Sequence, residues 1–547
     1  METGRMSFCS RPNLRLCPSQ STFPNQRVTL MPSTRFSIFL AASNSRKNPK
    51  VSLPSRSNTK NSRNQSLKPF LSPNRTQKRP TRRETDLPNG AKGWLLQAGE
   101  EYGIEMLVLS GVGYWVQGLR CLPWLALNFY FKDALLINPS TLQLVQNTAN
   151  LPMVAKPLYG IVSDVLYIGD EHRVPYISIG VFLQVISWGT MALVPAAGEM
   201  LPALMACILL SNLGASITEV AGDALVAECS KRHRVGELQS YAWIALAAGG
   251  VVGNFSGGFI LQKTQNPKFM FLVFCLLLCF QLGVSLSVSE KSLNLEMTKP
   301  YSSNSDFHLL AESVTGSVRR QLSELISVIR QPRILFPLSW AVLSTAIVPI
   351  LSGSVFYFQT QILNVDSSVI GLSKVIGQML VLSASVLYNR FLKKLPVRKL
   401  VCAVQIIYAI SILSDLLLVK QLNLWLGISN PLYISCFAAL AEAVAQFKIL
   451  PFSILLANRC PKGYEGSVLA FFMSMLCLSS IFSGYAGAAI SYLLGMSSGN
   501  YARLPIGICL QFVAALVPLL WISYIPMSIS TAAERKRMVI REGRNTR

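Results

Sequence analysis

From about residue 100 to residue 526 the chain runs in apolar stretches of twenty or more residues, separated by short polar loops. A bilayer crossing by a helix needs about 20 mostly apolar residues. On that measure the pattern predicts twelve: α1 at 105–131, α2 at 140–163, α3 at 175–195, α4 at 201–228, α5 at 238–261, α6 at 268–288, α7 at 334–358, α8 at 369–390, α9 at 397–419, α10 at 431–457, α11 at 465–494 and α12 at 504–526. Helix α2 is the most polar, carrying Gln143, Gln146, Asn147, Asn150 and Lys156. An all-α membrane protein of twelve transmembrane helices is expected.

The polar residues between the runs orient them. One set of loops holds Arg173; Lys231, Arg232 and Arg234; Arg319, Arg320, Arg330 and Arg333; Arg390, Lys393, Lys394, Arg398 and Lys399; and Arg459 and Lys462. The basic tail 527–547 belongs with them. Alternate loops hold single cations such as Lys132, Lys263, Lys268, Lys420 and Arg503. Basic loops stay on the side from which insertion occurs, so both termini share that side, as an even number of crossings requires. The longest connection, 289–333, divides the chain into bundles at 100–288 and 334–526. Within it Phe307, Leu310, Val314, Val318, Leu322, Leu325 and Ile329 keep a spacing of three to four. That spacing predicts an amphipathic helix lying at the membrane interface; a plain tether is the alternative.

Composition agrees. Of 547 residues 51% are hydrophobic and 14% charged, against roughly 25% charged in soluble chains. The net charge of +24 would suggest nucleic acid, but the excess lies in short loops and in the first 85 residues, so no nucleic-acid partner is expected. Between Thr3 and Arg83 there is no Asp or Glu, and Ser and Arg abound. An acid-poor, Ser- and Arg-rich start is the composition of an organelle transit peptide. Without a clear Arg-rich amphipathic helix it points to a plastid rather than a mitochondrion; a disordered cytosolic tail is the alternative. In a plastid inner envelope membrane the basic loops would face the stroma. The twelve Cys are scattered, without metal-ligand spacing, and are expected to be reduced thiols.

Two six-helix halves joined by a long basic loop is the plan of the major facilitator superfamily, in which substrate sits near the midplane between the halves. In "YGIVSDVLYIGDEHRVP", Gly160, Asp164 and Arg173 stand as in that superfamily's loop after the second helix, where they would gate. The equivalent loop after α8 has Asn389 where an acid would stand. Helix α5 reads "AAGGVVGNFSGG", and its small residues at four-residue spacing predict close helix packing.

Ionisable side chains inside a bilayer are costly and usually face a cavity or a partner. Arg120 lies in α1 and Lys156 in α2; Glu219 and Asp223 share one face of α4; Glu442, Gln446 and Lys448 lie in α10. The cations Arg120, Lys156 and Lys448 are candidates for holding substrate carboxylates. A carboxylate taken out of water is easier to protonate, which makes Glu219, Asp223 and Glu442 candidates for carrying a coupling proton or for accepting hydrogen bonds from a heterocycle. The alternative is an interhelical ion-pair network that fixes packing. Glu228, near the end of α4, reads as a loop partner. The three His fall in loops, no catalytic set is present, and neither an enzyme nor a cofactor is expected.

Four blocks carry a family resemblance: "GLRCLPWLALNFYFKDALLINPSTLQLVQNTANLPMVAKPLYGIVSDVLYIGDEHRVPYISIG" (118–180), "SITEVAGDALVAE" (216–228), "FYFQTQILNVDSSVIGLSKVIGQ" (356–378) and "AEAVAQFKILPFSILLANRCP" (441–461). They resemble the plant and cyanobacterial branch of the folate–biopterin transporter family, a branch of the major facilitator superfamily, over roughly residues 100–525. The resemblance implies a carrier of folates or unconjugated pterins, with some members plastid-directed. It suggests Lys or Arg for the glutamate carboxylates and a carboxylate for the pterin, and it points to Lys156, Asp223, Gln446 and Lys448 as the positions that would meet substrate. A carrier of another organic anion, or a non-transporting receptor or scaffold, stays open.

Overall fold

A computed structural model describes residues 102–168, 171–193, 201–232, 237–290, 307–392, 395–460 and 465–525. The leader, the basic tail, Arg234, Lys393, Lys394 and Lys462 lie outside the described residues, and of Asn389 only the helical backbone is described. Among the described residues all regular structure is helical. Nine helices among the described residues are long and apolar enough to cross a membrane: Val174–Leu193, Leu201–Ser230, Leu238–Thr264, Pro267–Ser287, Ser367–Tyr388, Val397–Val419, Asn430–Leu456, Ser467–Leu493 and Leu504–Tyr524. They match α3 to α6 and α8 to α12.

The remaining three are broken, where continuous spans were expected. Helix α1 divides at Arg120 into Ile104–Leu119 and Cys121–Phe129. Helix α2 is three pieces, Pro139–Thr148, Leu151–Val154 and Lys156–Val165. Helix α7 is Pro332–Ala346 and Ser352–Gln361. Helix α10 also breaks, at Lys448 and Ile449, between Ala439–Phe447 and Leu450–Arg459. The cause is proline, which lacks an N–H and crowds the preceding turn. Pro123, Pro152, Pro157 and Pro451 each stand in the first turn after a break, and Pro349 lies in the α7 break itself.

The helices before residue 290 pack mainly on one another, α3 against α4 and α6, and α1 against α5. After residue 331, α9 packs on α12, α7 on α11, and α8 on α10. Between these sets, α5 meets α8, and α2 meets α11 and the second piece of α7. The glycines of α5 work as the spacing predicts. A Cβ at Gly249 would lie 2.2 Å from the Trp115 carbonyl oxygen, so α1 and α5 touch backbone to backbone. Across α5 and α8, a Cβ at Gly371 would lie 2.2 Å from the Asn254 carbonyl oxygen.

Polarity is inverted relative to a protein in water. Phe182, Leu276, Phe280, Ile410 and Leu520 are exposed, while Asn128, Gln143, Asn212, Gln359 and Gln405 are fully buried. Lipid solvates the former; of the latter, Asn128, Gln143, Asn212 and Gln405 find hydrogen-bond partners inside. The expected interfacial segment is a helix, Phe307–Ile329. Its Leu325, Val328 and Ile329 are buried in a cluster with Ile334, Leu338 and Phe452, and Arg319 and Arg320 are exposed.

Candidate functional site

A cavity of about 480 Å³ lies inside the helices, within the roughly 300–1,000 Å³ usual for small-molecule sites. Residues of α1, α2, α4 and α5 line it from one side and residues of α7 to α12 from the other. The breaks in α1, α2, α7 and α10 all reach its wall, through Arg120, Asn150, Lys156, Ile350, Leu351, Lys448 and Ile449. Irregular backbone at membrane depth is tolerated where it lines a polar cavity, so the prolines and the cavity explain one another. Among the described residues four cations face it, Arg120, Lys156, Lys374 and Lys448, with three carboxylates, Glu219, Asp415 and Glu442.

On the α1–α4 side the charges form a clamp. Glu219 receives Arg120 Nη1 on Oε1 at 3.1 Å and Lys156 Nζ on Oε2. Arg120 Nη2 donates to Asn212 Oδ1 at 2.7 Å, and Asn212 Nδ2 donates to the Ala149 carbonyl at 2.5 Å. Asn212 thereby ties the guanidinium to the carbonyl exposed by the first break in α2.

The opposite wall pairs its charges more loosely. Lys448 is 6% exposed. Its Nζ donates to the Ser344 carbonyl at 3.3 Å and lies 5.0 Å from the centre of the Tyr408 ring. Among the described residues it has no carboxylate within ion-pair distance. Lys374 Nζ stands 3.8 Å from Glu442 Oε1. Gln378, Tyr408, Asp415 and Gln446 complete this wall. Lys374, Gln378, Tyr408 and Asp415 were not among the candidates. Lys374 and Asp415 carry the same signal as the others, an ionisable residue inside a predicted span, and were legible in α8 and α9.

Asp223 stands off the cavity wall, one turn beyond Glu219, and accepts a hydrogen bond from Tyr114 Oη at 2.6 Å. Gly160, Asp164 and Arg173 lie in a separate cluster. Arg173 pairs with Asp164 and, at 2.7 Å, with Glu228, and donates to Ser163 Oγ at 2.6 Å. Burial alone would lower the Arg173 pKa; the carboxylates of Glu228 and Asp164 outweigh it and raise it above the ordinary value. Glu290 joins from the end of α6, accepting backbone N–H groups of His172, Arg173 and Val174. A Cβ at Gly160 would sit 3.4 Å from Val220 Cγ1. Replacing Arg173 with Gln removes the shared partner of two carboxylates. A loss of about 2–4 kcal/mol is expected from a buried charge network, read as a lower unfolding temperature in detergent; an unchanged temperature would show the cluster to be dispensable. His172 stacks on Tyr167 at 4.4 Å between ring centres, and no group of residues suited to a metal is found among the described residues.

Comparison with known proteins adds the family. Residues 117–543 match the model of the BT1 family. The chain is 52% identical over 472 residues to probable folate-biopterin transporter 9, chloroplastic, of Arabidopsis thaliana, covering 85% of this chain and 86% of that one. It is 55% identical over 446 residues to probable folate-biopterin transporter 8, chloroplastic, of the same plant, covering 81% and 80%. The folate-biopterin transporter of Synechocystis is 25% identical over 425 residues, covering 77% and 82%. Among solved structures, a D-xylose-proton symporter superposes with a TM-score of 0.55 at 17% identity, covering 78% of this chain and 98% of that one. A POT family transporter gives 0.56 at 14%, covering 78% and 97%. Those two likenesses show that the chain shares the fold of these two transporters. Family, relatives and fold agree with the resemblance carried by the four sequence blocks: this chain belongs to the BT1 family, whose curated relatives are transporters and not enzymes.

Proposed function

We propose that this chain carries folates or pterins across a plastid envelope membrane, the inner one, in exchange for the energy of a proton gradient, by alternating access between two six-helix halves at 100–288 and 334–526. Segment 289–333 joins the halves on the side of the basic loops and of the basic tail 527–547, and residues 1–85 direct the chain to the plastid. The observation that carries the reading is the cavity itself, shared between helices from both parts of the chain and holding the buried cation Lys448 without a carboxylate partner among the described residues. A buried charge needs a counter-charge, and a substrate carboxylate supplies one.

Folate suits such a wall. Its glutamate tail carries carboxylates for Lys448, Lys156 and Arg120. Its pterin offers adjacent N–H donors to a carboxylate such as Glu442 and to the amide of Gln446, with Trp124 and Tyr408 in the lining for stacking. Alternating access is supported by where the two sets of helices touch. Gln143 Nε2 donates to the Ile350 and Gly484 carbonyls at 2.5 and 2.6 Å, and Gln143 Oε1 accepts from Gly353 N at 2.9 Å. Tyr357 Oη donates to the Ile137 carbonyl, and Gly371 abuts Asn254. These contacts lie toward the loops poor in basic residues, which fits a state closed at that end.

Purified protein in lipid vesicles should take up labelled folate or pterin when an inward pH gradient is imposed. Uptake of none of these compounds would overturn the reading. Uptake of a different organic anion, blocked by excess unlabelled anion and not by folate, would move the substrate to that class. Binding without flux would make the chain a receptor.

A further inference from the structure

Glu219 occupies an unusual place for an acid in a carrier of anions. Both of its carboxylate oxygens are held by cations, Oε1 by Arg120 and Oε2 by Lys156, and all three residues line the cavity. This is the arrangement a substrate carboxylate would adopt in the same clamp. The clamp also retains unspent capacity. Arg120 Nε is buried without an acceptor among the described residues, and Arg120 Nη2 spends its bond on the neutral Asn212. A guanidinium has five N–H donors and favours paired contact with a carboxylate.

We propose that Glu219 stands in for a substrate carboxylate in the empty carrier, and that the binding of a carboxylate substrate and of a proton is linked through it. The inference rests on the reading of the chain as an anion carrier and names the residue that couples the two. The reaction is one proton transfer: hydronium, replenished by the buffer acid, gives up a proton as its O–H bond breaks and leaves water, an O–H bond forms on Glu219, and Arg120 and Lys156 are released to the incoming anion. Linkage is reciprocal. An anion in the clamp repels the Glu219 charge and favours its protonation, and protonation leaves two cations facing one anion.

The surroundings single out Glu219. From α1 it faces Arg120; from α2, Lys156; from α11, the thiol of Cys477 lies in the field of both Lys156 and Glu219. Behind it Gln184, Thr218 and Gln281 line a small pocket and carry no charge. One turn on along α4, Asp223 engages the Tyr114 hydroxyl away from the cavity wall. Across the cavity, Glu442 has Lys374 at 3.8 Å. Glu219 is the carboxylate held between two cavity-facing cations.

Titration calorimetry on the purified full chain, in two buffers of different protonation enthalpy, tests this with folic acid, 4-aminobenzoyl-glutamate, glutarate and uncharged pterin. The three carboxylates should bind with uptake of about one proton each, and their affinity should fall about tenfold per pH unit on the alkaline side. Pterin should bind, if at all, without proton uptake. Glu219→Gln should bind carboxylates with no proton uptake and an affinity that no longer changes with pH. As a check independent of the variant, infrared difference spectra of the wild type should show a protonated carboxyl band on ligand addition. Proton uptake that persists in Glu219→Gln, or that is lost in Asp223→Asn or Glu442→Gln while Glu219→Gln keeps it, would overturn the assignment. So would carboxylate binding by the wild type without proton uptake, a missing carboxyl band, or no binding of any carboxylate. Glutarate binding with a proton while folic acid fails to bind would leave the clamp standing and remove folate.

Discussion

Replacing Lys448 with Met is expected to cut uptake of carboxylate substrates about a hundredfold while the protein stays folded. Lys448 is buried at the α10 break, contacts Ser344 and Tyr408, and has no carboxylate partner among the described residues. Met fills a similar volume, and removing the ammonium strands no opposite charge. Stability is then unchanged or slightly raised, since a buried cation without a counter-charge is costly. Losing a charge-assisted contact to a desolvated carboxylate costs about 2–4 kcal/mol, and about 1.4 kcal/mol is a factor of ten. Uptake of labelled folate and of an uncharged pterin, measured side by side in vesicles, separates the effects. The pterin rate should fall much less than the folate rate. An equal fall in both would show that Lys448 shapes the cavity rather than holds an anion. The matching change at Arg120 or Lys156 is a poorer probe, because it leaves Glu219 with half its partners.

Replacing Gly371 with Leu is expected to destabilise the folded carrier strongly. The Cβ alone would lie 2.2 Å from the Asn254 carbonyl oxygen and 3.2 Å from Gly258 Cα. Both are backbone atoms of α5, so neither can rotate away. The helices would have to separate where the two sets of helices meet. Overpacking of a tight interior commonly costs about 1–3 kcal/mol, and a clash with two backbone atoms of α5 lies at or above the upper end. Gly283 provides the contrast: a Cβ there meets nothing within 4 Å. Gly283→Ala should change stability by about 0.5–1 kcal/mol at most, in the favourable direction, through helix propensity. Unfolding temperatures of the two variants in detergent should diverge by many degrees. Similar temperatures would show that the α5–α8 contact contributes little to holding the sets together.

How much of this was legible beforehand varies by element. The nine long spans and the 307–329 helix were readable because each depends on a local count, apolar length or three-to-four spacing, that the chain carries in a single window. The breaks in α1, α2 and α7 were not drawn, although Pro123, Pro152, Pro157 and Pro349 stood in view. Proline marks where a helix can break; whether it does depends on what receives the freed carbonyls. Here Asn212 takes the Ala149 carbonyl and Gln143 takes the Ile350 carbonyl, partners 63 and 207 residues away.

The site divides in the same manner. Arg120, Lys156, Glu219, Glu442, Gln446 and Lys448 declare themselves from sequence, because a charge or amide in an apolar run has no cheap place except a cavity or a partner. By itself the sequence determined that these groups lie within apolar runs and that the chain lies in a membrane, since both follow from the cost of taking charge and backbone out of water. Only the tertiary structure decided who is paired with whom. Among the described residues Glu219 is held by two cations, Lys448 has no carboxylate within ion-pair distance, and Asp223, off the cavity wall, accepts from Tyr114. Pairing is settled by distances of a few ångströms between helices far apart in the chain, and no local pattern of residues encodes those distances.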